Sequence, residues 1–224
     1  MGEVFIVIPA YNESSSIGKV IGQIKKQGYE RIVIVDDGSK DNTAKTAEKR
    51  GAVVLKHLIN RGQGAALKTG IDYALKQGAE VIVTFDADGQ FLAKEIKKLV
   101  NSLDRKTHVV LGSRFLGNAQ NIPFMKKLIL KIGIIVVRIL YGIRVTDSQN
   151  GFRALTREAA EKIEISSNRM EHAGEIMHEI VKNNLSYKEV PVTVVYSDYA
   201  VKKGQSWTHS IKLGIKMVFN KFMR

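Results

Sequence analysis

The chain of 224 residues is 44% hydrophobic, which is enough apolar side chain for one α/β domain with a sizeable core. It contains no cysteine, which excludes a disulfide framework and any thiolate site and agrees with a reducing compartment. The net charge of +13 comes from two acid-free stretches, 105–146 and 199–224, and such local charge favours an anionic partner on particular surfaces.

Hydrophobic periodicity predicts alternating strands and helices through roughly the first ninety residues. Short apolar runs typical of buried strands alternate with segments whose apolar residues recur at helical spacing, and a glycine follows each such segment. Pro9 is expected to end the first strand, and Asp41 to cap the second helix. The β-α-β-α-β-α-β order predicts a largely parallel sheet covered by helices. The predicted strands span 4–8, 32–35, 53–55 and 80–85, and the predicted helices span 14–26, 41–50 and 60–77.

The stretch Asp86–Gln90 directly follows the fourth predicted strand. Carboxylates two residues apart on an extended chain point the same way, so Asp86 and Asp88 can face one site, and Gly89 permits a sharp turn. Carboxylate oxygens, completed by substrate phosphates, form the usual shell of Mg²⁺ or Mn²⁺. By itself the pattern is equally compatible with a turn that carries solvated acids.

Polar loops also follow the second and third predicted strands. Asp36 and Asp37 can accept hydrogen bonds from a ribose or a base, although an Asx turn with Asp41 capping the next helix is the alternative. Gly62 and Gly64 permit close approach to a ligand at a helix N-terminus that favours an anion, or they simply serve a turn. The dinucleotide-binding glycine fingerprint and the P-loop are both absent from the sequence.

Six loops, in order from about residue 4 to 192, resemble the family 2 glycosyltransferases of GT-A fold. Within that family the last two loops resemble the polyprenyl-phosphate glycosyltransferases, which include the dolichyl-phosphate mannose synthases. Any one motif is weak, but six in the same order are specific. The six are Pro9–Glu13, Asp36–Asp41, Asn60–Gly64, Asp86–Gln90, Gly112–Arg114 and Asp147–Arg153.

The resemblance implies a role for individual residues. Asp88 and Arg114 would be catalytic, and Arg114 would meet the acceptor phosphate. A Mg²⁺ or Mn²⁺ ion would hold the donor diphosphate, with Asp88 and Gln90 the more direct ligands beside Asp86. The donor nucleotide pocket would be lined by Pro9, Tyr11, Glu13, Asp36, Asp37 and Asp86.

The acceptor-phosphate region departs from the family pattern. Relatives carry Arg and Ser in the helix after Arg114, where this chain offers Lys127 and Lys131, and lysine lacks the bidentate fork of arginine. Near the C-terminus the family motif is Arg-x-x-Gly-x-Ser-Lys. Here Val201 and Trp207 occupy its first and last positions, so the cations predicted for the phosphate in this part of the chain are Lys202 and Lys203.

The segment 122–143 is strongly apolar, but basic residues interrupt it. Its longest uncharged run between them, 132–137, is far short of the ~20 residues of a membrane span. A basic edge flanks a broad apolar surface, as in helices that lie in a membrane interface, and 211–224 has a similar stripe. A buried helix, or for 122–143 a dimer contact, is the alternative. The basic edge consists of Lys127, Lys131 and Arg138.

The resemblance therefore implies an inverting, metal-dependent transfer of a hexose from a nucleotide-sugar to a polyprenyl phosphate. Mannose from GDP-mannose is favoured, and UDP-glucose is possible. The chain would form one GT-A domain, 1–224, with a catalytic core of about 3–198 and a basic amphipathic tail, 199–224. It would lie peripherally on the cytoplasmic face of an anionic membrane, alone or with a membrane-anchoring partner protein.

Three other functions remain open. Transfer to a saccharide or another lipid would need a carboxylate base, for which Asp147, Glu171 and Glu175 are candidates. A sugar nucleotidyltransferase would show a glycine-rich loop after the first strand, unlike Pro9–Glu13. A nucleic-acid binder would explain the charge, but no helix-turn-helix, RNP or zinc pattern occurs, so we expect no nucleic-acid partner.

Overall fold

Strands and helices alternate along the chain in the computed structural model, which describes residues 2–196. The strands are β1 (Val4–Ala10), β2 (Ile32–Asp36), β3 (Val53–Lys56), β4 (Val81–Thr84), β5 (Val109–Gln120), β6 (Arg153–Thr156) and β7 (Tyr187–Val195). The helices are α1 (Ile17–Lys25), α2 (Thr43–Lys49), α3 (Gln63–Lys76), α4 (Ile96–Asn101), α5 (Phe124–Tyr141), α6 (Arg157–Lys162) and α7 (His172–Lys182). The predicted tail contacts Lys202 and Lys203, and the stripe 211–224, lie outside the described residues.

The seven strands form one sheet in the order β3-β2-β1-β4-β6-β5-β7. The first four strands of this order are parallel to one another, and β5 is parallel to β7. Strand β6 runs antiparallel to both of its neighbours, β4 and β5. The predicted mostly parallel α/β sheet is confirmed. The parallel strands β1, β2 and β4 end at the same edge, where open α/β sheets place their ligands.

Helices cover both faces of the sheet, which explains why its central strands are continuously apolar. Along β1, Phe5 and Val7 enter one core cluster, while Ile6 and Ile8 enter the other. The first cluster is closed by α3, α6, α7 and the C-terminal half of α5. The second is closed by α1, α2 and α4.

The predicted boundaries of these elements lie within three residues of the observed ones, and two of the differences lie at the carboxyl edge of the sheet. Strand β1 continues through Pro9 to Ala10, because Pro9 lies beyond the last paired residues of β4 and its missing N–H removes no ladder bond from that pair. The N-cap of α2 is Asn42 rather than Asp41. Asp41 nevertheless accepts from the backbone N–H of Thr43 at 2.9 Å and of Ser14 at 3.1 Å, so it joins two loops at the edge where the parallel strands end.

Candidate active site

The loops after β1 and β2 are joined at the carboxyl edge of the sheet. The backbone N–H of Asp37 donates to the carbonyl of Ala10 at 2.8 Å. Asn12 takes a positive φ of 52°, donates its N–H to Ser39 Oγ at 2.9 Å, and accepts from the N–H of Lys40 at 2.8 Å. Together these bonds fix the loops that contain most of the predicted nucleotide-binding residues.

Those predicted residues lie close together. Pro9 and Asp36 are buried at the ends of β1 and β2, and Asp36 accepts from the N–H of Ser39 at 3.0 Å. Glu13 is buried, and its carboxylate accepts from the Ser16 hydroxyl at 2.7 Å. Tyr11 is 40% exposed at the rim.

Asp37 is engaged within the chain. Its carboxylate accepts from the backbone N–H groups of Arg61 at 2.9 Å and Gly62 at 2.7 Å, and Oδ1 lies 2.7 Å from His57 Nδ1. The other ring nitrogen of His57 lies 3.0 Å from Thr69 Oγ1 on α3. Asp37 therefore fastens the loop before α3 to the end of β2.

The expected close approach at Gly62 and Gly64 is made by the chain itself. A Cβ on Gly62 would collide with the Asn168 carbonyl oxygen, and a Cβ on Gly64 with that of Ser167. The Asn168 carbonyl also accepts from the first turn of α3, at the N–H of Ala65, 3.1 Å away. Glycine is required here because a neighbouring loop, rather than a ligand, covers the α3 N-terminus.

Asp86 and Asp88 follow β4 at the same edge. Gln63 Nε2, at the start of α3, donates to Asp86 Oδ1 at 3.2 Å, and a Cβ on Gly151 would lie 2.8 Å from that oxygen. Asp86 keeps a solvent-accessible edge, yet the protein around it limits its hydration. This desolvation, and then repulsion from Asp88, raise the pKa of Asp86 to about 7, against the opposing attraction of Arg153.

The carboxylate pair suits a hard divalent cation. The backbone N–H of Gln90 donates to Asp88 Oδ1 at 3.0 Å, which orients that carboxylate. No group of three or more His, Cys, Asp or Glu residues that could hold a metal occurs among residues 2–196. Mg²⁺ and Mn²⁺ need no such group, because one or two carboxylates, substrate phosphates and water complete their shell. A cation here would also relieve the repulsion that raises the Asp86 pKa.

Arg114 is buried on β5 in a fixed orientation. Its Nε donates to Asp147 Oδ2 at 2.6 Å, its backbone N–H donates to the same oxygen at 3.0 Å, and Nη1 donates to the Tyr196 hydroxyl. Its positive charge partly opposes the rise of the Asp86 pKa, so the two side chains interact electrostatically. Arg114 therefore brings an oriented guanidinium to the carboxylate pair.

Lys126, which sequence reasoning did not assign to the acceptor phosphate, also reaches this environment. Its Nζ lies 4.7 Å from the centre of the Tyr196 ring. Burial and the nearby Arg114 lower the pKa of Lys126, while Asp88 acts in the opposite direction. The predicted residues Lys127 and Lys131 are instead exposed on the outer side of α5.

The candidate carboxylate bases are mostly committed to other contacts. Asp147 Oδ2 is held by Arg114, while Asp147 Oδ1 is buried and has no hydrogen-bond partner among residues 2–196. Glu175 accepts from the backbone N–H groups of Ser166 at 3.1 Å and Ser167 at 2.8 Å, and it thereby fixes the loop that covers α3. Glu171 is the N-cap residue of α7, without a side-chain capping bond.

Arg153 forms a buried floor next to Asp86. It is 2% exposed, and its Nε and Nη1 have no hydrogen-bond partner among the described residues. Burial lowers its pKa to about 10 against the attraction of Asp86 and Asp147. The same buried cluster lowers the pKa of His172 to about 4, first through desolvation and then through Arg153.

Helix α5 turns an apolar surface toward solvent. Val137 and Leu140 are its buried side chains, whereas Phe124 is 78% and Ile139 75% exposed. Within residues 2–196, no helix has the length and hydropathy needed to cross a bilayer. The exposed apolar surface of α5 comprises Phe124, Met125, Leu128, Ile132, Ile135 and Ile139.

Comparison with known proteins agrees with this fold. The sequence model of the family described as Glycosyl transferase family 2 matches residues 5–164. The chain is 39% identical over 98% of its length to an uncharacterised protein of Methanocaldococcus jannaschii, covering 92% of that relative. It is 33% identical, over 98% of its length and 95% of the relative's, to the UDP-N-acetylglucosamine–dolichyl-phosphate N-acetylglucosaminyltransferase of Methanococcus voltae.

A solved structure gives the same overall fold at low identity. Glucosyl-3-phosphoglycerate synthase from Mycobacterium tuberculosis superposes with a TM-score of 0.73 and 17% identity, over 97% of this chain and 78% of that one. At that identity the likeness concerns the fold, and the family match and the curated relatives establish the class. The chain is a glycosyltransferase that belongs to family 2 and has the GT-A fold.

Proposed function

We propose that this enzyme transfers a sugar from a nucleotide-sugar to the phosphate of a polyprenyl phosphate at a membrane surface. One observation carries the proposal. Two cations converge on Tyr196: Arg114 of β5 donates to its hydroxyl, and Lys126, in the first turn of α5, lies 4.7 Å from the centre of its ring. Both cations interact electrostatically with the pair Asp86 and Asp88, and the outer surface of α5 is apolar. A lipid phosphate needs this combination: basic groups for its head, a reactive site beside them, and an apolar surface toward the bilayer.

The donor would bind along the loops after β1, β2 and β4. Asp36 and Glu13 lie where a nucleoside would pass, and Asp88 and Gln90 would hold the diphosphate through Mg²⁺ or Mn²⁺, beside Asp86. Bound there, the cation would neutralise the charge that develops on the leaving nucleoside diphosphate. Gln63 and Gly151 leave Asp86 both oriented and accessible, which supports its place beside the metal.

The acceptor would need orientation more than deprotonation. A phosphate monoester has a second pKa of about 6, so it is already largely a dianion at pH 7. One of its oxygens can attack the anomeric carbon opposite the leaving diphosphate, which inverts the configuration. Arg114 and Lys126 would hold the other oxygens. The engagement of Asp147 and Glu175 within the chain favours this acceptor over a sugar hydroxyl, which would need a base.

The donor sugar is inferred from the sequence and from the names of the relatives. The sequence favours mannose from GDP-mannose, with UDP-glucose possible, whereas the Methanococcus voltae relative is named for UDP-N-acetylglucosamine. A relative from Mycolicibacterium smegmatis, 29% identical over 88% of this chain and 79% of its own, is named polyprenol monophosphomannose synthase. The relatives thus share the polyprenyl phosphate and differ in the sugar.

Membrane attachment would be peripheral, through α5. Its exposed apolar residues would enter the interface, while Lys127, Lys131 and Arg138 would meet anionic headgroups. Each cation near such a surface contributes ~1 kcal/mol, and the anionic lipids of the cytoplasmic leaflet favour that face. The tail 199–224 and an anchoring partner protein would add to this attachment.

A donor panel tests the proposed reaction. Radiolabelled GDP-mannose, UDP-glucose and UDP-N-acetylglucosamine are each incubated with a polyprenyl phosphate and Mg²⁺ or Mn²⁺, and the product is extracted into organic solvent. We expect one donor to give an extractable product, and excess EDTA to abolish it. Transfer to a saccharide or to a neutral prenol, but not to the phosphate, would overturn the proposal.

A further inference from the structure

A groove of about 570 Å³ lies between α1 and α2. It begins at Ser14, directly after Glu13 of the predicted donor loop, and extends along α1 to Lys26. Helices α1 and α2 pack on one face of the sheet with Ile6 and Ile8, whereas Val137 of α5 packs on the other face with Val7. The groove and the C-terminal half of α5 are therefore on opposite faces of the sheet. The groove is lined by Ser14, Ser15, Gly18, Lys19, Gly22, Gln23, Lys26, Thr46 and Arg50.

Two glycines one helical turn apart shape the groove. A Cβ on Gly18 would lie 3.2 Å from Thr46 Cγ2 and 3.5 Å from Arg50 Nε, so the missing side chain lets α2 place both groups over the α1 backbone. A Cβ on Gly22 would have no heavy atom within 4 Å, which leaves the floor of the groove open next to Lys26. Close helix packing at one glycine and open space at the next produce a recess with basic walls.

The charge in the groove is not neutralised by the described chain. Lys19, Lys26 and Arg50 have no ion pair or hydrogen bond with another side chain of residues 2–196, and no acid lines the groove. Neighbouring cations do have partners: Lys25 lies 3.4 Å from Glu30, and Lys56 lies 2.7 Å from Glu48. These three exposed cations line one recess, so a bound anion would meet all of them together.

We propose that this groove binds a soluble phosphorylated ligand, of the size of a diphosphate or a nucleoside phosphate. Arg50 offers a planar fork and the two lysines offer compact charges, while Ser15 and Thr46 add hydroxyl donors. The volume falls within the range of small-molecule sites. A lipid headgroup is disfavoured, because α1 and α2 cover the opposite face of the sheet from the C-terminal half of α5. The site is independent of the proposed sugar transfer.

Titration calorimetry with pyrophosphate tests this site on the full-length chain. The titration uses an Asp88→Asn/Lys126→Ala background with excess EDTA, so that the carboxylate pair, its metal and the proposed acceptor-phosphate site contribute little heat. We expect one binding event in this background. The double variant Lys26→Gln/Arg50→Gln should bind ~10-fold or more weakly, because two charge-assisted contacts are lost. Lys49→Gln, an exposed cation on α2 outside the groove, should bind within about twofold of the background.

Three controls make the result decisive. Thermal melts confirm that the variants fold, since the altered side chains are exposed. Sulfate at matched ionic strength should not replace pyrophosphate. Unchanged binding in Lys26→Gln/Arg50→Gln, or absence of binding in the background, would overturn the proposal. Loss of sedimentation with anionic vesicles in the double variant, without any pyrophosphate binding, would instead identify a lipid contact and equally overturn it.

Discussion

Lys126 and Lys127 are adjacent lysines with opposite surroundings. Lys126 is half-buried over Tyr196, whereas Lys127 is exposed on the apolar side of α5. We expect Lys126→Ala to raise the KM for a short, soluble polyprenyl phosphate by ~10-fold, because one charge-assisted contact is lost, and to leave the KM for the donor nearly unchanged. Lys127→Ala, the matched control, should change neither value with this acceptor. Steady-state kinetics with each substrate varied would show equal effects of both variants if the assignment is wrong.

Arg114 also stabilises the fold, a role that its sequence motif did not indicate. It forms an ion pair with Asp147, which is 2% exposed, so Arg114→Ala would leave a buried carboxylate without its hydrogen-bonded ion-pair partner. We expect that variant to lose about 3 kcal/mol of unfolding free energy. The double variant Arg114→Ala/Asp147→Asn should be more stable than Arg114→Ala alone. Denaturant melts of the four forms measure this coupling, and strictly additive losses would contradict it. For acceptor binding, Arg114→Lys is the cleaner substitution, since it keeps the charge.

The raised pKa of Asp86 predicts a pH dependence of stability. A carboxyl with a folded-state pKa near 7 and an unfolded value near 3.8 binds more protons when folded, so stability falls as the pH rises through that window. Without metal, Asp86→Asn should therefore raise the melting temperature more at pH 8 than at pH 5. The difference should be at least ~1 kcal/mol, or ~2–4 °C. Melts in EDTA at the two pH values measure it, and an equal gain at both would exclude a raised pKa.

At the scale of elements, the exposed apolar surface of α5 predicts that membrane attachment can be weakened without loss of stability. Leu128→Ser/Ile139→Ser should weaken sedimentation with anionic vesicles by ~10-fold or more, since burying each side chain in the interface is worth ~1–2 kcal/mol. The melting temperature should stay the same, because both side chains are exposed. Val181→Ser, which removes an exposed apolar residue from α7, is the matched control. Vesicle binding that is equal in both variants would show that α5 does not carry the attachment.

The sequence predicts the N-terminal elements of this fold well, and for a physical reason. Strands buried on both faces and glycines after helices leave strong local signals, so the order β1 to β4 and the position of Asp86 and Asp88 are correct. Strand β6 is different, because its direction and place depend on partners distant in the chain. The inward face of α5 is also a tertiary property: a one-residue shift in helical phase separates Lys126 from Lys127.

At the scale of the whole molecule, the two substrates would arrive from different environments. The loops proposed for the donor follow β1, β2 and β4, while the cations proposed for the acceptor lie on β5 and at the start of α5, whose outer surface is apolar. A water-soluble nucleotide-sugar and a membrane-bound phosphate could therefore reach the carboxylate pair by separate routes. The enzyme would work at the boundary between the two phases rather than within either.

The position of β6 also has a consequence for the order in which the protein assembles. Strand β6 lies between β4 and β5, although it follows both in the chain, and Thr84 pairs with Arg153. Before residues 153–156 leave the ribosome, β4 presents an unpaired hydrophobic edge of the kind that promotes aggregation. Such distant strand pairing is also slow to form. Gly151 and Arg153 lie beside Asp86 and are synthesised with this strand. A nascent chain therefore contains every loop proposed for the donor before its site is complete. We therefore expect activity only after β6 has paired with β4.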